Sequence, residues 1–440
     1  MRKPLLLLLL SALCLQLRAQ FSLDGQIVQR SEYRNGFNRL IPAEEDPAFF
    51  IAHRVRLRAQ YEMDKFHFYA SIQDVRTWGS TPQAKATDPF LSLHQGWAQY
   101  DFHDNWSVRL GRQELNYDNA RLIGNLDWAL QARAHDFALV KYEKDDFKLH
   151  FGSGYNQDGQ ALTGNVFTIP NQYKTAQMLW MQKEGDNYKL AFMGWNDGRQ
   201  FVNRDTMGGL TDKGQHFRTT LGLSTLRFTF GATTLSGFYY HQLGKDAAGR
   251  DLNAFDGSAQ ISQTLYSDTE KGSSFKAALG FEILSGTDTG GLGDDSNSFA
   301  PLYGTNHAHN GYMDYFYVGG RWNNSVGLQD YYLKLRTQFN PKFFTQLGGH
   351  AFFAQATPAE FVSGNLQELD PYLGTELDFS LGYLFHPAFS LQFGYSQMFA
   401  SDTFEALSGT GTEFDERQNW AYLMFIFRPT MKNKNIGILF

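Results

Sequence analysis

The chain is 440 residues long, carries a formal net charge of -6 and contains 39 Phe, 22 Tyr and a single cysteine. A mild negative charge excludes a globally basic nucleic-acid binder, and 42% hydrophobic residues leave no run beyond the N-terminal segment long enough for a membrane helix. Aromatics at 16% without such runs are what alternating lipid-facing strands and interfacial girdles produce, which favours one large barrel over several soluble domains.

Residues 1–19 read as a secretory signal: Arg2 and Lys3 form a basic start, Leu5 to Leu10 an apolar run, and Leu17-Arg18-Ala19 a cleavage site. Residues 20–440 are then the mature chain, beginning at Gln20. Cys14 falls inside the signal, and Leu13 before it is too bulky for a lipoprotein signal. Its removal leaves no disulfide, thiolate nucleophile or zinc-thiolate site.

A first strand points Phe21, Leu23 and Ile27 outward and Asp24, Gln26, Arg30, Glu32 and Arg34 inward. The second sends Val55, Leu57, Ala59 and Tyr61 to lipid and puts Arg54, Arg56, Arg58 and Gln60 on one lumen stripe. Trp106 to Tyr142 reads as strand, charged loop and strand, with Trp106, Val108 and Leu110 alternating against Ser107, Arg109 and Gly111. Arg112 falls on the outward phase, so it belongs above the membrane or at a bulge. Around 327–339 the pattern turns Tyr331, Leu333 and Leu335 out and Asp330, Lys334 and Arg336 in; then Leu377, Phe379, Leu381 and Tyr383 face lipid over Glu376 and Asp378. An arginine on the lipid face at mid-bilayer costs about 2 to 4 kcal/mol, which pins these registers.

Short turns at 62–65, 103–105, 143–146, 184–187, 230–231, 268–272, 340–342 and 386–387 sit between aromatic or β-branched runs. Longer connections cover roughly 35–49, 77–91, 116–131, 157–173, 198–214, 244–255, 286–326, 357–371 and 401–416. Eight turns alternating with nine loops predict an all-β fold, an antiparallel transmembrane β-barrel of about 18 strands with its long loops outside the cell. A secreted β-sandwich or propeller would also alternate, but here charged side chains fall on the face opposite each aromatic face across many strands, without a consistent blade repeat. Pro429 favours a last strand over about 418–428, with Asn433 to Phe440 as a tail.

Several segments carry a resemblance to a known family. They are Ser71-Ile72-Gln73-Asp74-Val75-Arg76-Thr77-Trp78-Gly79, Gly111-Arg112-Gln113-Glu114-Leu115, Arg121-Leu122-Ile123-Gly124 with Asp127-Trp128, and Arg133-Ala134-His135-Asp136. Leu284-Ser285-Gly286-Thr287-Asp288, Leu302-Tyr303-Gly304-Thr305-Asn306-His307 and Met313-Asp314-Tyr315-Phe316 follow. Together they resemble the alginate export family of outer-membrane channels. The resemblance implies an eighteen-stranded barrel in the cell outer membrane, with an arginine-lined pore that passes an anionic polysaccharide, and it implies no catalytic residue or cofactor.

Arginine stays charged at any working pH and pairs with carboxylates bidentately, so a ring of guanidiniums suits a slide for uronate-type polymers or small anions. The candidates are Arg30, Arg54, Arg56, Arg58, Arg76, Arg109, Arg112, Arg133 and Arg336, with Asp136 and Glu376 beside them. The competing reading pairs these arginines with Glu32, Asp74, Glu114, Asp136, Glu282, Glu376 and Asp378 in a network that braces the wall. Tyr69, Trp97, Tyr240 and Tyr332 are inward aromatics that either stack on sugars or pack a plug. Asp288, Asp294 and Asp295 match no defined calcium loop and read as a solvated loop. The 12 histidines are scattered, with no His-Glu-x-x-His, Gly-x-Ser-x-Gly or cysteine pair, so neither an enzyme nor a metal site is expected. With only the signal ahead of the first strand, the expectation is a monomeric barrel in outer-membrane lipid that conducts passively. The alternative is a structural or enzymatic barrel with a plugged lumen.

Overall fold

The computed structural model describes residues 21–429 except 292, 294, 318–324, 410 and 411. The expected signal, Cys14, Gln20, Asp294 and the tail from Asn433 to Phe440 therefore lie outside the described residues. In chain order the strands are β1 (Phe21–Asn35), β2 (Ala48–Met63), β3 (Phe66–Thr77), β4 (Leu91–His103), β5 (Trp106–Gln113), β6 (His135–Lys144) and β7 (Phe147–Tyr155). Next come β8 (Thr175–Glu184), β9 (Tyr188–Arg204), β10 (Leu210–Phe230), β11 (Thr233–Lys245), β12 (Asp251–Asp268), β13 (Ser273–Leu284) and the two-residue β14 (Asp295–Ser296). After β15 (Leu328–Asn340) and β16 (Phe343–Phe353), a separate hairpin of β17 (Ala359–Val362) and β18 (Asn365–Glu368) precedes β19 (Tyr372–His386), β20 (Phe389–Ala400), α1 (Asp402–Ser408) and β21 (Gln418–Phe427).

Leaving out β14, β17 and β18, the described residues form a closed antiparallel barrel of 18 strands, as the turn count predicted. It closes where β21 pairs with β1, from Ile27 opposite Phe427 to Asn35 opposite Asn419. The closing strand thus ends before Pro429.

Alternation decides which face each residue takes. In β2, Val55, Leu57 and Tyr61 are exposed on the outer surface, whereas Arg54 and Arg56 are buried inside; β1 exposes Phe21, Leu23 and Ile27 and buries Gln26, Arg30 and Glu32. At the short-turn rim, outward aromatics pack between neighbouring strands: Phe66 stacks on Tyr100 at 4.7 Å and Phe339 on Phe343 at 5.0 Å, and Trp106 lies tilted against Tyr142 at 4.9 Å. Rings with a wet edge and an apolar body suit the headgroup boundary. In the turns, Asp64 and Asp145 adopt φ of 50° and 51°, the left-handed backbone that tight hairpins need and that aspartate tolerates.

The long connections depart from expectation in two ways. Residues 198–214 and 244–255 are mostly strand, because β9 and β10 stay paired up to 204 and 210 and the next hairpin leaves only 246–250 unpaired. The 116–131 and 286–326 connections, expected outside, instead bury apolar side chains in the barrel: Leu122, Ile123, Trp128 and Leu130 from one, and Phe299, Leu302, Tyr303 and Met313 from the other.

Leu279 sits midway along β13, faces outward and lies between Ile261 of β12 and Leu333 of β15. Leu279→Arg is expected to destabilise the barrel by about 2 to 4 kcal/mol in urea unfolding from lipid vesicles. No loss would mean that this belt does not face hydrocarbon.

Candidate functional site

The arginine stripe of β1 and β2 meets the connection 114–134. Arg30 donates from Nη1 to the Trp128 carbonyl at 2.8 Å, from Nε to Glu32 at 2.7 Å, and lies 4.4 Å over the Trp128 ring. Arg54 is wholly buried; it donates to the Leu130 carbonyl at 3.0 Å and pairs with the Asp127 carboxylate at 2.9 Å. Arg56 donates to Gln73 at 2.7 Å, with Glu114 at 3.5 Å and Asp127 at 3.7 Å, while Gln73 in turn donates to the Gln131 carbonyl at 2.8 Å. A guanidinium removed from water needs its N–H groups satisfied, and here carbonyls of the inserted chain do so. Burial opposes ionisation of Glu114, but hydrogen bonds from His94 and Asn125 and the nearby Arg56 outweigh it and hold this carboxyl below the usual range.

A second arc of wall, β12 to β19, is acidic and holds the connection 285–327. Glu376 accepts from the backbone N–H of Tyr312 at 2.5 Å and of Met313 at 2.9 Å. Asn310 donates to Glu282 at 3.1 Å and to Asp330 at 3.3 Å, and His350 contacts Asp330 at 2.9 Å.

The two connections also grip each other. Ile123 and Tyr303 form a parallel bridge, with Gly124 N–H donating to the Tyr303 carbonyl at 2.8 Å and Thr305 N–H to the Ala120 carbonyl at 2.8 Å. This approach requires Gly304, where a Cβ would collide with the Arg121 carbonyl. Trp128 stacks on His307 at 4.1 Å, and Arg133 donates to the carbonyls of Tyr303 and Gly304. Burial lowers Arg133 to about 10, still above working pH, so the group stays charged.

Arg121 ties all three parts together. At 0% exposure it pairs with Glu282 at 2.7 Å and Asp256 at 3.1 Å on the acidic arc, and donates to Asn310 of the other connection at 2.9 Å. Burial and the Arg121 charge push His309, beside it, well below the ordinary histidine range, so His309 is neutral. Between the connections and β10 to β15 remains a cavity of about 190 Å³ whose lining includes Asn119, Phe238, Ser258, Tyr332 and Lys334.

Not every predicted residue joins this site. Arg112 and Asp136 are corrections: they pair with each other at 2.9 Å on the outer surface, their side chains 42% and 61% exposed. They share the outward phase of Leu110 and Ala138, so neither lines the lumen. Arg76 pairs with Asp74 and, at 2.7 Å, with Asp88 of the following connection. Arg58 pairs with Asp24 at 3.1 Å, Arg109 donates to Gln99 at 2.7 Å, and Arg336 donates to Gln346 at 3.1 Å. Glu376 contacts backbone amides, and Tyr240 is packed in the interior cluster. Asp288 accepts from the Thr357 N–H at 2.7 Å, and among the described residues no group of His, Cys, Asp and Glu is placed to hold a metal. Sequence reasoning missed Arg121, Asp127 and Asn310 as site residues. The available signal was Leu122-Ile123, an apolar pair inside a segment otherwise polar enough to read as solvated.

Residues 19–153 match the family model described as alginate export. No curated protein matches the chain. Among solved structures it is similar to OccK11 (OpdR) of Pseudomonas aeruginosa, at 12% identity and a TM-score of 0.56, over 92% of this chain and 95% of that one. It is also similar to a BenF-like porin from Pseudomonas fluorescens Pf-5, at 10% identity and a TM-score of 0.58, over 93% and 98%. At these identities the likeness is one of fold, that of outer-membrane porins. Together with the family match it places the chain in the outer membrane.

Arg121→Met removes the cation from between Asp256 and Glu282 and unties both connections. The expected result is a loss of about 3 to 5 kcal/mol in unfolding free energy and a larger single-channel conductance. Unchanged values of both would show that Arg121 ties nothing.

Proposed function

We propose that the chain is a passive channel for anionic solutes, uronate-type polysaccharide among them, working as a monomer and without a catalytic step. The observation that carries this reading is the set of lumen-facing guanidiniums: Arg30, Arg54, Arg56 and Arg58 on β1 and β2, where the inserted connections narrow the path, with Arg109 on β5 and Arg336 on β15 paired only to amides. The family match supports passage of an anionic polymer, and the likeness to porins supports diffusion through a barrel.

The chemistry narrows the reading further. Arg30, Arg54, Arg56 and Arg58 are each paired with a carboxylate, Glu32, Asp127, Glu114 and Asp24, so their fields are partly cancelled. Among the described residues Arg109 and Arg336 have no such partner, and they stand toward the short-turn, periplasmic half of the lumen. Anion preference therefore rests chiefly on these cations, while Arg54 and Arg56 act by holding the constriction.

A second reading, a barrel plugged shut, is favoured by the bridge between Ile123 and Tyr303 and the apolar side chains around it. Conductance separates the two: the channel reading expects discrete openings of wild-type protein in planar bilayers, the plugged reading none.

Replacing Arg109 and Arg336 together with Ala should shift the reversal potential in a salt gradient toward cations with little change in conductance. Replacing Arg54 and Arg56 with Ala should raise conductance by freeing the 114–134 connection. A cation-selective wild-type pore would contradict the anionic reading.

A further inference from the structure

On the acidic arc, one grip on the connection 285–327 is made by two acids with no cation between them. Glu376 and Asp378 share the lumen face of β19 at 0% and 4% exposure, and their carboxyls lie within hydrogen-bonding reach of each other. Glu376 Oε1 is spent on the Tyr312 and Met313 N–H groups, and Asp378 Oδ1 accepts from Ser396 Oγ at 2.5 Å. That leaves Glu376 Oε2 and Asp378 Oδ2, both buried without a hydrogen-bond donor among the described residues. Gly311 of the connection, at φ of 82°, is pressed onto the same carboxylate: a Cβ there would lie 2.5 Å from Oε1 and 2.7 Å from Oε2.

The surrounding groups leave this pair uncompensated. His350, opposite Glu376 on β16, reaches Asp378 only at 3.7 Å from Nε2, while its Nδ1 is held by Asp330 of β15 at 2.9 Å. Lys334 of β15 lines the neighbouring cavity and pairs with neither acid among the described residues. Arg30 of β1 is spent on Glu32, and His307 of the connection on Asp314 at 2.7 Å. From β20 and β21 come the uncharged Met398, Ser396, Gln418 and Trp420, with the Tyr422 phenol beyond them.

We infer that Glu376 and Asp378 share one proton between Oε2 and Oδ2, forming a latch that holds the connection 285–327 in the lumen and lets it go at alkaline pH. This rests on reading the connection as the constriction of a channel, and it adds a control to that channel. Two carboxylates in contact and cut off from water do not both stay ionised, and one proton between them leaves a single charge for two backbone N–H groups and a serine hydroxyl to meet. Removing that proton sets two like charges side by side in the wall with no cation to offset them. Relief comes when Glu376 turns to water, which frees Tyr312 and Met313. The grip is therefore present below the titration and lost above it, and a protonated His350 between Asp330 and Asp378 would pull the same way.

Thiol accessibility tests the latch without requiring that the barrel conduct. Met313 is 0% exposed and Leu162 stands fully in the medium, so Met313→Cys reports whether the connection is seated and Leu162→Cys corrects for ionisation of the thiol itself. With a charged, membrane-impermeant reagent, the ratio of the two rates in folded barrel should rise about tenfold or more between about pH 6.5 and about pH 9.5. Glu376→Gln or Asp378→Asn puts an amide N–H in place of the shared proton, and either should hold the ratio nearly constant over that range. A constant ratio with both acids present, or the same rise with either amide, would overturn the latch. So would a rise produced at the lower pH by a chelator, since a bound cation would then fill the gap between the oxygens. Failure of the channel reading shows elsewhere, as an absence of openings in planar bilayers at any pH.

Discussion

Everything inside this barrel depends on the pairing of buried guanidiniums with main-chain carbonyls of the connection 114–134. Arg30 and Arg54 cannot be withdrawn from water unless their N–H groups are met, and the β1 and β2 walls alone do not meet them. The carbonyls of Trp128 and Leu130 do. Conversely, a non-regular segment at membrane depth needs donors for its own carbonyls, and only lumen-facing side chains are available there. Each side therefore supplies what the other lacks, which is why the segment lies inside rather than in the medium.

A similar exchange with the opposite sign holds the connection 285–327. Glu376 collects backbone N–H groups, and Glu282 and Asp330 take the Asn310 amide. The wall is thus divided into a basic arc that binds carbonyls and an acidic arc that binds amides, with Arg121 reaching from one connection to the other's anchor. Two of the segments singled out in the sequence, Arg121 to Gly124 and Leu302 to His307, bridge at Ile123 and Tyr303, and the first of them lies within the stretch matched by the family model.

The wall was legible in the sequence, because a period of two beside lipid has few alternatives: placing Arg54 or Arg56 on hydrocarbon costs more than any local preference could recover. The tight turns were legible through Asp64 and Asp145 for a similar reason, since few residues accept that backbone. The inserted connections were not. Their residues obey neither period, and the carbonyls that attract the arginines are common to every residue type. The outward phase of Arg112 is visible in the alternation, and that of its partner Asp136 follows from pairing with β5; charge alone groups both with the pore, and the phase removes them from it. A network of these arginines with carboxylates that include Glu32 and Glu114 is readable in the sequence as one alternative, but neither the individual pairs, Arg30 with Glu32 and Arg56 with Glu114, nor their clamp on another segment is.

The most direct test of the clamp is the chemical accessibility of the segment it holds. Leu130 is only 5% exposed and its carbonyl is bound by Arg54, so a cysteine introduced there (Leu130→Cys) reports whether the segment is seated. Reaction with a charged, membrane-impermeant thiol reagent should be slow in the otherwise native barrel and much faster when Arg54→Ala is added. Rapid modification in both backgrounds would contradict the account, because the connection would then leave the lumen with its arginine in place.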